Sequence, residues 1–243
     1  MKSKFLGIVG LAALTALPAV SHADLAFNVG ATSDYRYRGI SQSRLKPAVQ
    51  GGIDYTNGGF YLGAWASSIK WIKDAGGKAN AEIDLYGGYK GDIVKDSLTY
   101  DVGVLTYQYP KNKLATKAET TEIYGALTYG PATLKYSHSV SNLFGFPDSK
   151  SSGYVDLSAS WEVGGGVSLA PHVGYQKVAG TGNSNYSYTD YSLTASKDFS
   201  GLVLSAAIIG TDTKKIGGVP AYVSPAGKDL GKAGLVVGLK YNF

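Results

Sequence analysis

The closing stretch of the chain, Gly234 to Phe243 (G-L-V-V-G-L-K-Y-N-F), constrains the fold more than any other. Counting back by twos from the carboxyl end gives Phe243, Tyr241, Leu239, Val237 and Leu235, with Asn242, Lys240, Gly238 and Val236 between them. A period of two places one apolar and one polar face on an extended strand. Chain ends are ordinarily frayed and polar, so a strand this amphipathic with a terminal aromatic ring has to be tied into a sheet.

The other end of the chain carries a basic start (Lys2, Lys4), an apolar run from Phe5 to Val20 and a small-residue exit at Ser21-His22-Ala23. That pattern predicts a cleaved export signal over residues 1–23, with a mature chain over 24–243. Losing Lys2 and Lys4 leaves 21 basic against 18 acidic residues, a net charge of +3. The basic residues are dispersed, so nothing argues for nucleic acid. The absence of cysteine excludes a disulfide scaffold, a thiolate metal site and a cysteine nucleophile. Beyond the leader no apolar run is long enough for a spanning helix. With 33 glycines and 19 tyrosines and a mean hydropathy near zero, the composition suits a barrel that is apolar outside and polar inside.

The chain divides into about twelve alternating segments. Asp24 to Gly39 alternates Phe27, Val29, Tyr35 and Tyr37 with Asn28, Asp34, Arg36 and Arg38, predicting a single strand with both arginines on its polar side. Lys46 to Thr56 follows and turns at Asn57-Gly58-Gly59 into Phe60 to Lys70, whose facing is ambiguous between Phe60-Leu62-Ala64 and Tyr61-Gly63-Trp65. Asn80 to Gly91 places Glu82 and Asp84 inward. In Leu98 to Tyr109 the apolar face changes phase between Val104 and Leu105, which predicts a β-bulge. Thr121 to Gly130, Ala132 to Ser141, Tyr154 to Val163, Val167 to Val178, Tyr188 to Phe199, Leu202 to Gly210 and the closing strand complete the set. Tight Gly, Asn or Pro turns alternate with longer polar loops, as in an antiparallel up-and-down barrel with both termini on the periplasmic side and no open edge in lipid. Tyr55, Phe60, Tyr89, Tyr129, Trp161, Phe199, Tyr241 and Phe243 fall at the turn ends of the strands, while Tyr35, Tyr37, Tyr107, Tyr109, Tyr136 and Tyr175 fall near the loop ends. Two aromatic girdles at the bilayer interfaces are expected from this sorting. The expected fold is therefore an all-β transmembrane barrel of about twelve strands behind a signal peptide.

Three blocks carry a family resemblance: Ser33 to Gln42 (S-D-Y-R-Y-R-G-I-S-Q), Pro47 to Trp65, and Glu82 to Tyr89 (E-I-D-L-Y-G-G-Y). They resemble the TorF-type porins of proteobacterial outer membranes, and the resemblance extends over the mature chain. It implies an outer-membrane location and a porin architecture, and brings no catalytic or ligand residue set with it. The last strand likewise resembles the closing strand of outer-membrane barrels, with Tyr241 and Phe243 as the signal read by the barrel-assembly machinery.

On the expected register the lumen holds Arg36, Arg38, Lys90, Lys135, His172 and Lys240 beside Asp34, Asp54, Glu82, Asp84, Glu122, Asp156, Glu162 and Asp190. Opposite charges on facing walls select polar solutes in porins. The constriction candidates are Arg36, Arg38, Glu82, Asp84, Glu122, Asp156, Asp190 and Lys240, with Arg36 and Arg38 either favouring anions at the outer mouth or serving as partners for Asp34 and loop acids. The expected activity is passive diffusion of small polar or ionic solutes. The alternative is a barrel plugged by its own paired charges that acts through its loops, especially 211–231. The expected partners are outer-membrane lipid, the assembly machinery and small solutes, with a monomer expected because trimeric porins usually have larger barrels. No cofactor or metal is expected, since His138 and His172 sit on separate strands. Nor is an enzyme expected: His138, flanked by Ser137 and Ser139, is the one place where lipid hydrolysis could be sought.

Overall fold

The computed structural model describes residues 23–243, so the expected leader lies, apart from Ala23, outside the described residues. Twelve wall strands follow in order: β1 Asp24–Thr32, β2 Ala48–Asn57, β3 Phe60–Ser68, β4 Ala81–Val94, β5 Leu98–Gln108, β6 Thr120–Tyr129, β7 Ala132–Ser139, β8 Gly153–Ala159 continued as Trp161–Gly164, β9 Val167–Lys177, β10 Tyr188–Phe199, β11 Leu202–Thr211 and β12 Gly234–Asn242. Each pairs antiparallel with its neighbours in sequence, and β12 returns to β1 with Val29 opposite Tyr241 and Ala31 opposite Leu239. The wall sheet is closed, and among the described wall strands each has a partner on both sides. The amphipathic closing strand is thus the seam of a barrel.

Alternation along each strand sets the two faces. On the outside, Leu25, Leu62, Val102, Leu134, Leu157, Leu193, Ile208 and Leu235 are all exposed. A water-soluble protein would carry that band as an aggregation liability; in a bilayer it is the lipid-facing surface. The ambiguous facing of β3 resolves with Phe60 and Leu62 outward and Tyr61, Trp65 and Ser67 buried inside.

Three expectations are corrected. The first strand ends at Thr32, well before Gly39, because residues 33–47 leave the wall. No bulge interrupts β5: its pairing with β6 runs unbroken from Leu98–Tyr129 to Tyr107–Thr120. The apolar face changes phase because Leu105, Tyr107 and Tyr109 point into a lumen that is packed at their level. For the same reason the loop-end girdle is thinner than expected. Tyr136 and Tyr175 face lipid, but Tyr35, Tyr107 and Tyr109 are buried inside and Tyr37 packs against that core. At the turn end Tyr55, Phe60, Tyr89, Tyr129, Trp161, Phe199, Tyr241 and Phe243 are all exposed, and that belt is complete.

Inner-wall glycines make room for these rings. A Cβ at Gly174 on β9 would lie against the hydroxyl and ring of Tyr154, well inside van der Waals contact. The Gly174→Val substitution is expected to push Tyr154 off its partners and destabilise the barrel by about 1–3 kcal/mol, read as a lower conversion temperature of the compact band on semi-native electrophoresis.

Candidate functional site

The lumen has two halves of different character. Toward the tight turns it is lined by Asn28, Asp54, Lys90, Asp101, Lys135 and Lys240, all half-buried, interspersed with Gly52, Gly63, Ser158, Ser192 and Gly238. Tyr86 donates to Asp54 at 2.5 Å and Tyr61 to Asp101 at 2.5 Å, while the Lys135 ammonium lies 3.9 Å above the Tyr124 ring. Small side chains between long ones leave this half reachable by water.

Toward the long loops the lumen is filled, and the filling comes from residues 33–47. After Thr32 the chain turns inward and makes a short hairpin in which Arg36 pairs with Ser41 and Tyr37 with Ile40. Its two tip residues, Arg38 (φ 46°) and Gly39 (φ 79°), both have positive φ, as the two-residue turns that match strand twist require. Glycine adopts this freely, and a side chain at 39 would collide with Thr211 and Asp190 on the wall. The hairpin base is fastened by Asp34, which accepts from Arg36 Nε at 2.8 Å, Ser41 Oγ at 2.5 Å and Ser43 Oγ at 3.1 Å.

From this base the hairpin reaches walls on several sides. Arg36 donates to the backbone oxygens of Gly39, Ile209 and Lys232, the last at 2.8 Å. Tyr35 donates to Glu82 on β4 at 2.5 Å, and Tyr109 donates to the other oxygen of the same carboxylate at 2.7 Å. Burial, followed by the Glu82 and Asp84 carboxylates, pushes the Tyr35 phenol well above its ordinary pKa and keeps it a neutral donor. Tyr37 shares a 2.5 Å hydrogen bond with Tyr107 on β5. At the tip, Arg38 forks onto both oxygens of Glu122 on β6 at 3.1 and 2.7 Å, donates to Gln176 on β9 at 2.5 Å, and lies 4.1 Å above the Tyr154 ring. A forked, charge-assisted pair is the strongest polar contact such a tip can make. The hairpin is therefore a septum anchored across the lumen.

Around it run the acids. Asp156 on β8 and Asp190 on β10 flank His172: His172 Nε2 lies 2.5 Å from Asp156 Oδ2, and Nδ1 lies 3.5 Å from Asp190 Oδ2. The first contact is close but does not have hydrogen-bond geometry, so both Asp156 oxygens lack such a partner. Tyr154 donates to Asp190 at 2.9 Å. Asp84 on β4, 0% exposed, has no hydrogen-bond partner on either carboxylate oxygen.

Of the constriction candidates, Arg38, Glu82, Asp84, Glu122, Asp156 and Asp190 converge on this septum. Arg36 is at its base. Lys240 is apart from it in the turn half, opposite Gly30 and Val203. Tyr241 and Phe243 lie on the lipid face at the turn-end rim, Phe243 stacked on Phe27 at 5.8 Å. Glu162 is exposed at the same rim. His138 faces lipid beside Tyr136, whereas Ser137 and Ser139 are buried on the lumen side of the same strand. Those neighbours point away from the imidazole and cannot pair with it as a nucleophile must.

A closed antiparallel barrel with a lipid-facing apolar band and a polar, septated lumen defines a porin-like protein of the bacterial outer membrane. A family model described as Gcw_chp, a bacterial protein of unknown function, matches residues 16–243, and the chain belongs to that family. No curated protein matches it. Among solved structures, the NanC porin superposes with a TM-score of 0.53 at 10% identity, covering 90% of this chain and 99% of that one. Outer membrane phospholipase A from Escherichia coli gives 0.45 at 14% identity over 90% and 95% of the two chains. OccK5 (OpdH) of Pseudomonas aeruginosa gives 0.44 at 12% identity over 90% and 67%. These likenesses concern the fold.

Proposed function

We propose that this barrel is a narrow passage for small ions and polar solutes across the outer membrane, with the 33–47 hairpin as its constriction and a preference for cations. The observation that carries the reading is the charge balance at the septum. Glu82, Asp84, Glu122, Asp156 and Asp190 gather there, and the cations among them are Arg38, Lys135 opposite Asp156 and, when protonated, His172, which leaves the acids in excess. Rings of acidic side chains favour cations, and a buried carboxylate without a partner gains most from a cation that stops beside it. The resemblance of the 33–42 block to TorF-type porins supports the same reading, since that block forms the constriction. Of the two roles the sequence allows Arg36 and Arg38, their ion pairs with Asp34 and Glu122 support that of partners to acids over that of an anion filter. The long loops lie outside the cell in this reading, and the protein works as a monomer in lipid.

One observation favours a second reading, a sealed barrel acting through its loops: each of those acids is 2% exposed or less. Planar-bilayer recording of the refolded chain separates the two. The passage predicts small discrete steps, a reversal potential of cation sign under a salt gradient, and a cation preference reduced by about half or more in Asp84→Asn, the one acid of the five that among the described residues has neither a hydrogen-bond donor nor an ion-pair partner. A barrel that is folded and heat-modifiable yet electrically silent would leave only the sealed reading standing.

A further inference from the structure

Above the septum, the long connections surround an open-mouthed cavity of about 460 Å3 at the loop end. Its walls include Tyr37 from the hairpin, Trp71 from the short helix Trp71–Asp74, Tyr109 after β5, Phe144 between β7 and β8, Tyr188 at the start of β10 and Tyr222 between β11 and β12. The rings brace one another edge to face: Trp71 with Tyr109 at 5.2 Å, Tyr37 with Phe144 at 5.4 Å and Tyr188 with Tyr222 at 5.3 Å. Six separate parts of the chain thereby contribute rings to one aromatic box of the size small-molecule sites take.

What such a box can bind follows from which polar groups remain free. The Tyr37 hydroxyl is bonded to Tyr107, that of Tyr109 to Glu82 and that of Tyr222 to the Tyr186 carbonyl. Gln176 accepts from Arg38 and donates to the Gly153 and Lys177 carbonyls, and Gln42 donates to Ile40 O. A hydroxyl-rich ligand such as a sugar would find most of these groups taken, with the Tyr188 hydroxyl and Gln42 Oε1 left open, too few for the several paired contacts a sugar makes. An anion would find no counter-charge, since among the described residues neither lysine nor arginine lines the cavity; its one charged lining side chain is Asp74, held at the edge by Arg44. What the box offers is ring surface. Phenols that donate to carboxylates, as Tyr109 does to Glu82, carry extra electron density on their rings, and the faces of electron-rich rings attract cations. The acid-rich septum beneath adds a field of the same sign.

We infer that this cavity is a binding site for a small organic cation of the alkyl- or quaternary-ammonium class. The site stands whether or not the lumen conducts, so its test uses binding alone. The full chain, refolded in detergent and verified by heat-modifiability, is titrated with choline by calorimetry and by tryptophan fluorescence. The uncharged isostere 3,3-dimethylbutan-1-ol and acetate serve as parallel probes. Saturable choline binding at least about tenfold tighter than that of the isostere is expected, from the strength of desolvated cation–π contacts. Trp71→Leu and Tyr222→Leu, which keep apolar bulk but remove a ring, should each weaken it about tenfold, whereas Tyr222→Phe should retain it. Equal or tighter binding of the neutral alcohol overturns the inference, as does the absence of saturable choline binding to the folded barrel, or choline binding that both leucine variants leave intact.

Discussion

Replacing Arg38 with methionine is expected to destabilise the folded barrel by about 3–5 kcal/mol, the usual consequence of deleting one partner of a buried ion pair. Glu122 is 1% exposed, and its other donors, Ser139 at 3.3 Å and Tyr107 at 3.4 Å, are too long to replace a forked guanidinium. Glu122→Gln alone leaves the guanidinium in the same position with fewer acceptors. The double variant Arg38→Met/Glu122→Gln removes both charges and should recover much of the loss, giving a coupling energy of roughly 1–3 kcal/mol by a double-mutant cycle. Urea midpoints of the compact species in detergent or lipid supply the four numbers. Additive effects would mean that the hairpin tip is held by packing alone. The same variants bear on conduction: loss of the Arg38 anchor frees the tip, so Arg38→Met should enlarge the single-channel step and shift the reversal potential further toward cations, because Glu122 then faces the lumen uncompensated.

The wall of this barrel was legible in the sequence because its outer face answers to one solvent. Lipid demands an apolar residue at every second position, so Leu235 to Phe243 and Val155 to Trp161 announce their strands and their facing directly. The lumen obeys no such uniform rule. Its turn half is wet and its loop half is a packed interior, and the period-two pattern cannot say where one becomes the other. Leu105, Tyr107 and Tyr109 look like a phase error in a strand only if the inside is assumed polar throughout. Tyr35 to Arg38 likewise alternates as a strand does, since a hairpin also alternates, and only Gly39, a residue suited to positive φ just before Ile40-Ser41, marks the turn. Glu82, Asp84, Glu122, Asp156 and Asp190 lie on the face that period alone predicts, whereas Glu162 is exposed at the rim and Asp34 has left the wall; the gathering of the five around Arg38 is a matter of shear and tilt between strands as distant as β4 and β10. The cavity above them was out of reach, because Trp71, Phe144 and Tyr222 come from loops whose convergence no local pattern encodes.

Deleting Phe243 is expected to reduce the yield of correctly closed barrel several-fold and to lower the stability of what does close by about 1–3 kcal/mol for each backbone group left unpaired away from water. The seam explains the size of the effect. β1 pairs with β2 from Asp24 to Thr32, but with β12 only from Asn28 to Thr32. Two further hydrogen bonds extend the seam past that register, Phe27 N to Phe243 O at 2.9 Å and Phe243 N to Phe27 O at 3.0 Å, and the two rings stack above them. Without residue 243 both groups of Phe27 lose their partners on an edge that lipid cannot satisfy. Phe243→Leu separates the backbone contribution from that of the ring: it keeps both hydrogen bonds and should refold in vitro nearly as the parent does. If Phe243→Leu then fails to reach the outer membrane in cells while refolding normally in detergent, the ring is being recognised during assembly. If the deletion refolds as well as the parent, the seam is held by the Asn28–Thr32 register alone and the terminal residue contributes nothing to closure.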